Sequence, residues 1–434
     1  MAEQYVQDDA LSREEIAALQ VRRLREAVAR AAASPWYERV LRETGVGPED
    51  IESLEDIGKL PLTTKADLRA GMPHGFLAVP QDEVVRMHYS SGTTGIATGV
   101  YHTSGDLRRW TECVARGMRA VGVDRTDVFQ NMMGYGLFTG GLGFHYAGEL
   151  IGCMTIPASA GNTLRQVHLM QTFQTTVVHI LPSYALRVAA HCREHGIDPI
   201  ADLNIKYVFL GGEPHSRKLV RRIEELFDCK VYNCYGLSEM CGPGVAMECT
   251  AQDGLHVRED QYIAEVVDPA TLEPVTVGEQ GELVLTTLCR EAMPLLRYRT
   301  RDVTRLISEP CPCGSEHVKI GRLEGRTDDM LIVKGVNIYP QQVERVLMDS
   351  PHVGSNYVIV LDDANGADEM TVQVELPQEA FVDEMRGLHT IEQALVRQLR
   401  SELLITPQVE LHESNSLPAA EGKAVRVIDK RENA

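Results

Sequence analysis

The strongest constraint on the fold is an alternation that begins near residue 127. Strand-like apolar runs at 127–133, 176–181, 205–210 and 230–233 take turns with helical stretches at 164–173, 183–195 and 216–227. Short apolar runs suit buried strands, and 3.6-residue periodicity between them suits helices packed against those strands. This order is the signature of an α/β architecture. Upstream, Ser12-x-x-Glu15 has the form of a capping box. Ile16, Leu19, Val21, Leu24 and Val28 follow it at mostly helical spacing, so an amphipathic N-terminal helix is expected, with Pro35 marking a break. Downstream, 262–267 and 282–287 read as hairpin strands of a β-rich subdomain. The character changes again near Gly325-Arg326-Thr327-Asp328-Asp329. Beyond it come strand-like runs at 330–333, 357–361, 370–376 and 409–412, a turn at Lys334-Gly335, and helical stretches after Pro340 and over 379–404. The expected division is a large α/β domain over 1–327, with its β-rich subdomain, and a small mobile α+β domain over 328–434.

A chain of 434 residues with 44% hydrophobic content can bury more than one core. Its formal net charge of −19 argues against general binding to nucleic acid or to an anionic membrane. Local donors can still hold an anionic ligand. The segment Met1-Ala2-Glu3-Gln4-Tyr5 is polar and acidic, without the basic and apolar regions of a signal peptide, and no run of 18 apolar residues occurs. A soluble cytoplasmic protein is expected. Its ten cysteines then read as reduced core residues or metal ligands. Four groups fit the second description. Cys311-Pro312-Cys313 and Cys249-x₆-His256 pool to a Cys₃His set, a usual structural zinc site that would tie two loops together. His317 is an alternative fourth ligand.

The stretch His88-Tyr89-Ser90-Ser91-Gly92-Thr93-Thr94-Gly95 follows a strand-like run at 84–89. Gly92 and Gly95 allow a tight turn and close approach to a ligand, while Ser90, Ser91, Thr93 and Thr94 crowd donors into one small volume. Such a concavity suits a polyanion, most often the phosphates of a nucleotide. The lysine of a Walker-type loop is absent, which disfavours a kinase-like reading.

Other motifs stand in order around this loop. Gly211-Gly212-Glu213-Pro214 ends an apolar run, where open α/β sheets place ligands. Asn233-Cys234-Tyr235-Gly236-Leu237-Ser238-Glu239 ends another, and Tyr298-Arg299-Thr300-Arg301-Asp302 and Gly422-Lys423 follow. With these motifs the sequence resembles the adenylate-forming superfamily, and within it the phenylacetate–CoA ligase family. The resemblance runs from Pro61-Leu62-Thr63-Thr64-Lys65 to Glu421-Gly422-Lys423-Ala424-Val425-Arg426.

The resemblance implies a two-step reaction. A carboxylate attacks the α-phosphate of ATP to give acyl-AMP and pyrophosphate, and the thiol of CoA then displaces AMP. Bringing two anions together calls for positioning and electrostatic stabilisation. By resemblance, Ser90, Ser91, Gly92, Thr93, Thr94 and Gly95 cradle the phosphates, and Glu239 holds Mg²⁺. Tyr235 stacks on adenine in a pocket lined by Gly211, Gly212 and Glu213, with Asn233, Gly236 and Ser238 in the same motif. Asp302 accepts the ribose hydroxyls, Arg326 contacts ribose or phosphate, and Asp328 is the hinge. Lys423 is the catalytic lysine of adenylation. It sits on the small domain, which must rotate away before CoA reacts. The stretch after the loop, Ile96-Ala97-Thr98-Gly99, lacks the lysine of many superfamily members, as the phenylacetate branch does, and Lys65 is a candidate to supply that charge.

Tyr135, Phe138, Gly140 and Gly141 resemble the family's acid pocket, where small residues beside aromatic ones leave room for a ring. His145, His168 and His179 have no motif support and are read as structural. The expected partners are an aromatic carboxylic acid, ATP and CoA, with no nucleic acid and no membrane, in a homodimer. A carrier protein as acyl acceptor and a non-catalytic nucleotide-binding protein are the alternatives. Retention of Glu239, Asp302 and Lys423 together argues against the second.

Overall fold

The computed structural model describes residues 11–90, 98–137, 139–213, 215–329, 331–334, 336–350, 352–354, 356–364, 367–377, 385–414, 416–417 and 426–431. Expectations for Ser91, Gly92, Thr93, Thr94, Gly95, Phe138 and Lys423 fall outside them.

The N-terminal capping box forms as expected. Ser12 and Glu15 cap helix Arg13–Ala31, which buries Ile16, Leu24, Ala27, Val28 and Ala31. Pro35 does not simply break this helix. It occupies the first position of the next, Pro35–Thr44, where a missing N–H is harmless and the fixed φ suits helix entry.

The alternating region builds a nine-stranded sheet. Strands Met154–Ile156, Val128–Asn131, Val177–Ile180, Tyr207–Leu210 and Lys230–Leu237 lie parallel in that spatial order. Strands Gly242–Glu248, Leu255–Val257, Lys319–Ile320 and Leu306–Ile307 extend it antiparallel. All four residues of Val177–Ile180 are buried, as the apolar run requires for a strand covered on both faces. Helix Arg217–Phe227 buries Leu219, Val220, Ile223 and Phe227 on one face. Each such side chain contributes about 1.5–3 kcal/mol on burial.

The β-rich subdomain is a four-stranded antiparallel sheet, Tyr262–Val267, Gly281–Thr287, Tyr298–Thr304 and Gly325–Arg326. The expected pairing of 262–267 with 282–287 is present. Past Asp329, strands Tyr357–Ala364 and Ala367–Glu375 pair antiparallel, flanked in parallel by Val427–Asp429 and Gln408–His412. Helices Pro340–Asp349 and Met385–Leu403 pack on this sheet around Val343, Leu347, Ile359, Val372, Leu395 and Leu399. Among the described residues no helix is long and apolar enough to cross a membrane.

Candidate active site

Parallel strands deliver their side chains and loops to the edge where they end, and the candidate residues gather there. Asn131, Gly211 and Glu239 all lie at or just past the carboxyl ends of neighbouring parallel strands. Gly212 follows with φ +78°, a left-handed conformation that glycine adopts without strain. A Cβ on Gly236 would lie 1.9 Å from the Gly242 carbonyl oxygen, at the bulge between Tyr235 and Gly236. Only glycine permits that turn. The base of the expected phosphate loop is fixed by Ser90, whose hydroxyl lies 2.7 Å from that of Thr98 and accepts the Thr98 N–H at 3.2 Å.

Glu239 rides on a single 3₁₀ turn, Ser238–Met240, and is 4% exposed. Among the described residues its Oε1 has no hydrogen-bond partner, and Lys65 Nζ stands 3.6 Å away. Lys65 is delivered there by its own cap. Thr64 and Asp67 form a capping box that opens helix Lys65–Ala70. A buried carboxylate oxygen with no hydrogen bond is suited to a hard metal ion.

Asp302 is the second anchor. Its Oδ2 accepts the Tyr235 hydroxyl at 2.6 Å and its Oδ1 accepts Arg326 Nη1 at 3.2 Å. Burial, reinforced by the Asp302 carboxylate, pushes the Tyr235 phenol well above its ordinary range, so the hydroxyl remains a donor. Tyr235 is 6% exposed and packs within the core, with its hydroxyl turned to the Asp302 carboxylate. Arg326 also grips Asp328 with two nitrogens, Nε to Oδ1 at 2.8 Å and Nη2 to Oδ2 at 3.0 Å. One guanidinium therefore joins the expected ribose site to the expected hinge.

Three motif residues serve structure through the contacts they make. Both Glu213 oxygens accept from Ser183, one from its hydroxyl at 3.0 Å and one from its N–H at 3.2 Å, at the start of helix Pro182–Glu194. The Asn233 N–H donates to Glu248 at 2.7 Å, and the Ser238 hydroxyl lies 3.5 Å from that of Thr139.

The acid-pocket stretch holds a polar chain that sequence reasoning missed. Asn131 Nδ2 donates to the Tyr135 hydroxyl at 2.9 Å, and that hydroxyl lies 3.2 Å from His145 Nδ1. His145 Nε2 is 3.2 Å from Glu149, and Asn131 Oδ1 is 3.2 Å from His179 Nδ1. Burial lowers His179 to about 3, so the ring is neutral; it stacks on Phe144 with centroids 3.7 Å apart. His145 is thus part of the Tyr135 environment, and the one available signal was Asn131 at the end of an apolar strand. Gly140 leaves space, with a built Cβ 3.4 Å from Met133 Cε, whereas a Cβ on Gly141 would meet the Gly134 carbonyl oxygen at 2.6 Å. Gly141 is required for close packing of backbone on backbone.

The four pooled metal-ligand candidates converge. One ligand atom from each of Cys249, His256, Cys311 and Cys313 lies within 4.8 Å of all the others. The Cys249 and Cys311 sulfurs are 3.5 Å apart, and Cys313 Sγ is 3.4 Å from His256 Nε2. A tetrahedral zinc with Zn–S of about 2.3 Å implies ligand separations of about 3.8 Å. His256 Nδ1 donates to the His317 carbonyl at 2.9 Å, which turns Nε2 toward the sulfurs. The His317 ring points instead to Glu259, 3.7 Å away, so His256 completes the set.

Two family models match the chain. The AMP-binding enzyme model matches residues 10–289, and the AMP-binding enzyme C-terminal domain model matches 335–431. The phenylacetate-coenzyme A ligase of Thermus thermophilus is 43% identical, with 98% of each chain covered. That of Escherichia coli is 38% identical over 98% of this chain and 97% of its own. Among solved structures, 2-hydroxyisobutyryl-CoA ligase in the postadenylation state superposes with a TM-score of 0.92 at 28% identity, covering 98% of this chain and 91% of that one. The same ligase in its thioesterification state, with 2-HIB-AMP and CoA, gives 0.72 at 29% identity over 98% and 92%.

Proposed function

The chain belongs to the phenylacetate–CoA ligase family and is an AMP-forming aryl-CoA ligase, and from that premise we propose that it activates phenylacetate or a closely related arylacetate. The observation that carries the reading is a pair of ion pairs about one parallel strand: Lys65 with Glu239 just past its end, and Arg326 with Asp302, which Tyr235 on that strand holds.

In the first step a carboxylate oxygen forms a bond to the α-phosphorus and the bond to pyrophosphate breaks. In the second the CoA sulfur bonds to the acyl carbon and AMP leaves. The chain's task in step one is to hold two anions together. In our reading the hydroxyls and amides of the Ser90–Gly95 segment hold the phosphates, Asp302 holds the ribose, and Arg326 keeps Asp302 in place. Lys65 stands ready beside Glu239 to share charge with the outer phosphates. Lys423, carried by the small domain 328–434, bridges the attacking carboxylate and the α-phosphate as a point charge on a flexible stem. The hinge at Asp328 then lets that domain move away. Tyr135, Phe138 and Gly140 frame the ring of the acid.

Two metals fit the residues present. Glu239 would hold Mg²⁺, which supplies positive charge to the phosphates. Cys249, His256, Cys311 and Cys313 would hold a structural Zn²⁺ that ties the 249–256 and 311–313 loops.

The test is pyrophosphate release from ATP and Mg²⁺ across aromatic and aliphatic acids, with and without CoA. Release with an arylacetate, and thioester only when CoA is present, is expected. Release without thioester would assign the acyl group to a carrier, and no release with any acid would overturn the reading.

A further inference from the structure

The small domain meets the large one through helix Pro340–Asp349, which packs against helix Arg217–Phe227. Met348 touches the hydrophobic cores of both domains. Lys218 pairs with Asp349, and Arg222 donates from both terminal nitrogens to the Val353 carbonyl at 3.3 Å.

At the centre of this contact is a carboxylate that the chemistry above does not use. Glu344 is 6% exposed. Its Oε1 accepts the Ser216 N–H from the large domain at 3.3 Å, and its Oε2 accepts the Tyr357 hydroxyl from its own domain at 3.2 Å. Ser216 is the N-cap of helix Arg217–Phe227, and its hydroxyl already accepts the Leu219 N–H. Glu344 thus adds a second acceptor to that helix start, reaching across from the other domain. The N-terminal end of a helix attracts such an acceptor through its free N–H groups and its dipole.

The arrangement matters because it is transient in the catalytic cycle proposed above. The chain superposes at 0.92 on a relative in the postadenylation state and at 0.72 on that relative in the thioesterification state. Glu344 is buried in this arrangement, in which the two helices touch. We propose that Glu344 is the positioning residue that holds the small domain in the arrangement for acyl-AMP formation and releases it for thioester formation. This rests on the two-step reading of the preceding subsection.

The groups around Glu344 decide how the contact responds to pH. From the small domain it faces the Tyr357 hydroxyl and Arg426, whose guanidinium lies 4.3 Å over the Tyr357 ring. From the large domain it faces Glu213 and shares a cavity with His215, Arg217 and Arg322. Burial dominates and raises Glu344 from the ordinary 4.5 to about 7, with Arg426 opposing and Glu213 adding to the rise. Docked, the carboxyl keeps its proton up to about pH 7; undocked and in water it ionises near 4.5. Docking therefore weakens as pH climbs through that window and levels off above it. His215, lowered to about 4 by burial, titrates with the opposite sign, so the carboxyl's share must be read by difference.

The experiment measures the two half-reactions separately: pyrophosphate release from acid and ATP, and thioester formation from supplied acyl-AMP and CoA. Glu344→Ala is expected to lower kcat for pyrophosphate release about tenfold, the effect of one interfacial hydrogen-bonded carboxyl. KM for the acid and ATP, and thioester formation, should stay unchanged, because the large domain binds the substrates. Glu344→Gln keeps the shape without the proton. It should restore pyrophosphate release and flatten its pH profile between 4.5 and 7 relative to the parent. Equal loss of both half-reactions in Gln and Ala variants, or a Gln profile that matches the parent's, would overturn the proposal. If the parent itself releases no pyrophosphate with any acid, the two-step reading fails instead, so the two failures are distinguishable.

Discussion

Tyr235→Phe separates two roles that one residue has been given. The substitution keeps an aromatic ring in the same packing and removes only the hydroxyl, which donates to Asp302 at 2.6 Å. A hydrogen bond to a charged group contributes about 1.5–3 kcal/mol. At about 1.4 kcal/mol per factor of ten, the full loss would weaken ATP binding about 10- to 100-fold. Asp302 keeps Arg326 Nη1 at 3.2 Å, so the carboxylate is loosened without being abandoned, and the lower end is expected. KM for ATP should rise about tenfold, with little change in KM for the acid. The assay is pyrophosphate release against ATP concentration, with a thermal melt in parallel. If Tyr235 acts by ring stacking alone, Phe supports ATP as well as Tyr does. An unchanged KM for ATP in a folded variant would refute the positioning argument.

Lys423→Ala should abolish acyl-AMP formation, read as pyrophosphate release, and leave thioester formation from supplied acyl-AMP intact; loss of both would remove Lys423 from the adenylation role. Lys65→Ala withdraws the cation 3.6 Å from Glu239 and should raise KM for ATP, with no effect on KM for the acid. Cys311→Ser should drop bound zinc from one per chain to well below it and lower the melting temperature; full zinc retention would show that the four groups do not act as one site. Gly141→Ala brings a Cβ to 2.6 Å from a backbone oxygen and should destabilise by about 1–3 kcal/mol in chemical denaturation.

Which parts of this were readable from sequence follows from how local each signal is. The strand runs announced themselves because a strand buried on both faces must be almost wholly apolar, as Val177–Ile180 is. Glu239 and Asp302 stand out by their place in ordered motifs; the structure puts Glu239 just past a strand and Asp302 within one. Pro35 reads as a break, but proline also suits the first position of a helix, and here it starts one. The pairings across long separations were not readable. Nothing local tells that Glu213 reaches Ser183, or that Asn131 bridges His179 and Tyr135. His256 is the first choice in sequence and His317 its alternative; the hydrogen bond from His256 Nδ1 to the His317 carbonyl separates them. Nothing in the sequence singles out Glu344, because the surface that covers it belongs to another domain.

A chain with a net charge of −19 that binds a nucleotide polyphosphate poses a question of charge, and the site answers it locally. Glu239 has Lys65 beside it, and Asp302 has Arg326 and the Tyr235 hydroxyl. Glu282, fully buried on the adjacent strand, is held by Arg299 at 2.7 Å and Arg301 at 3.6 Å. Each of these three acids is matched within a few ångströms, well inside the screening length of about 10 Å at 0.1 M salt. An incoming polyanion at that edge meets neutralised carboxylates and donors rather than the field of the whole protein. The same pairing explains why Arg326 matters at a distance. It donates Nη1 to Asp302 and both Nε and Nη2 to Asp328, so a change at Asp302 alters the charge held at Asp328.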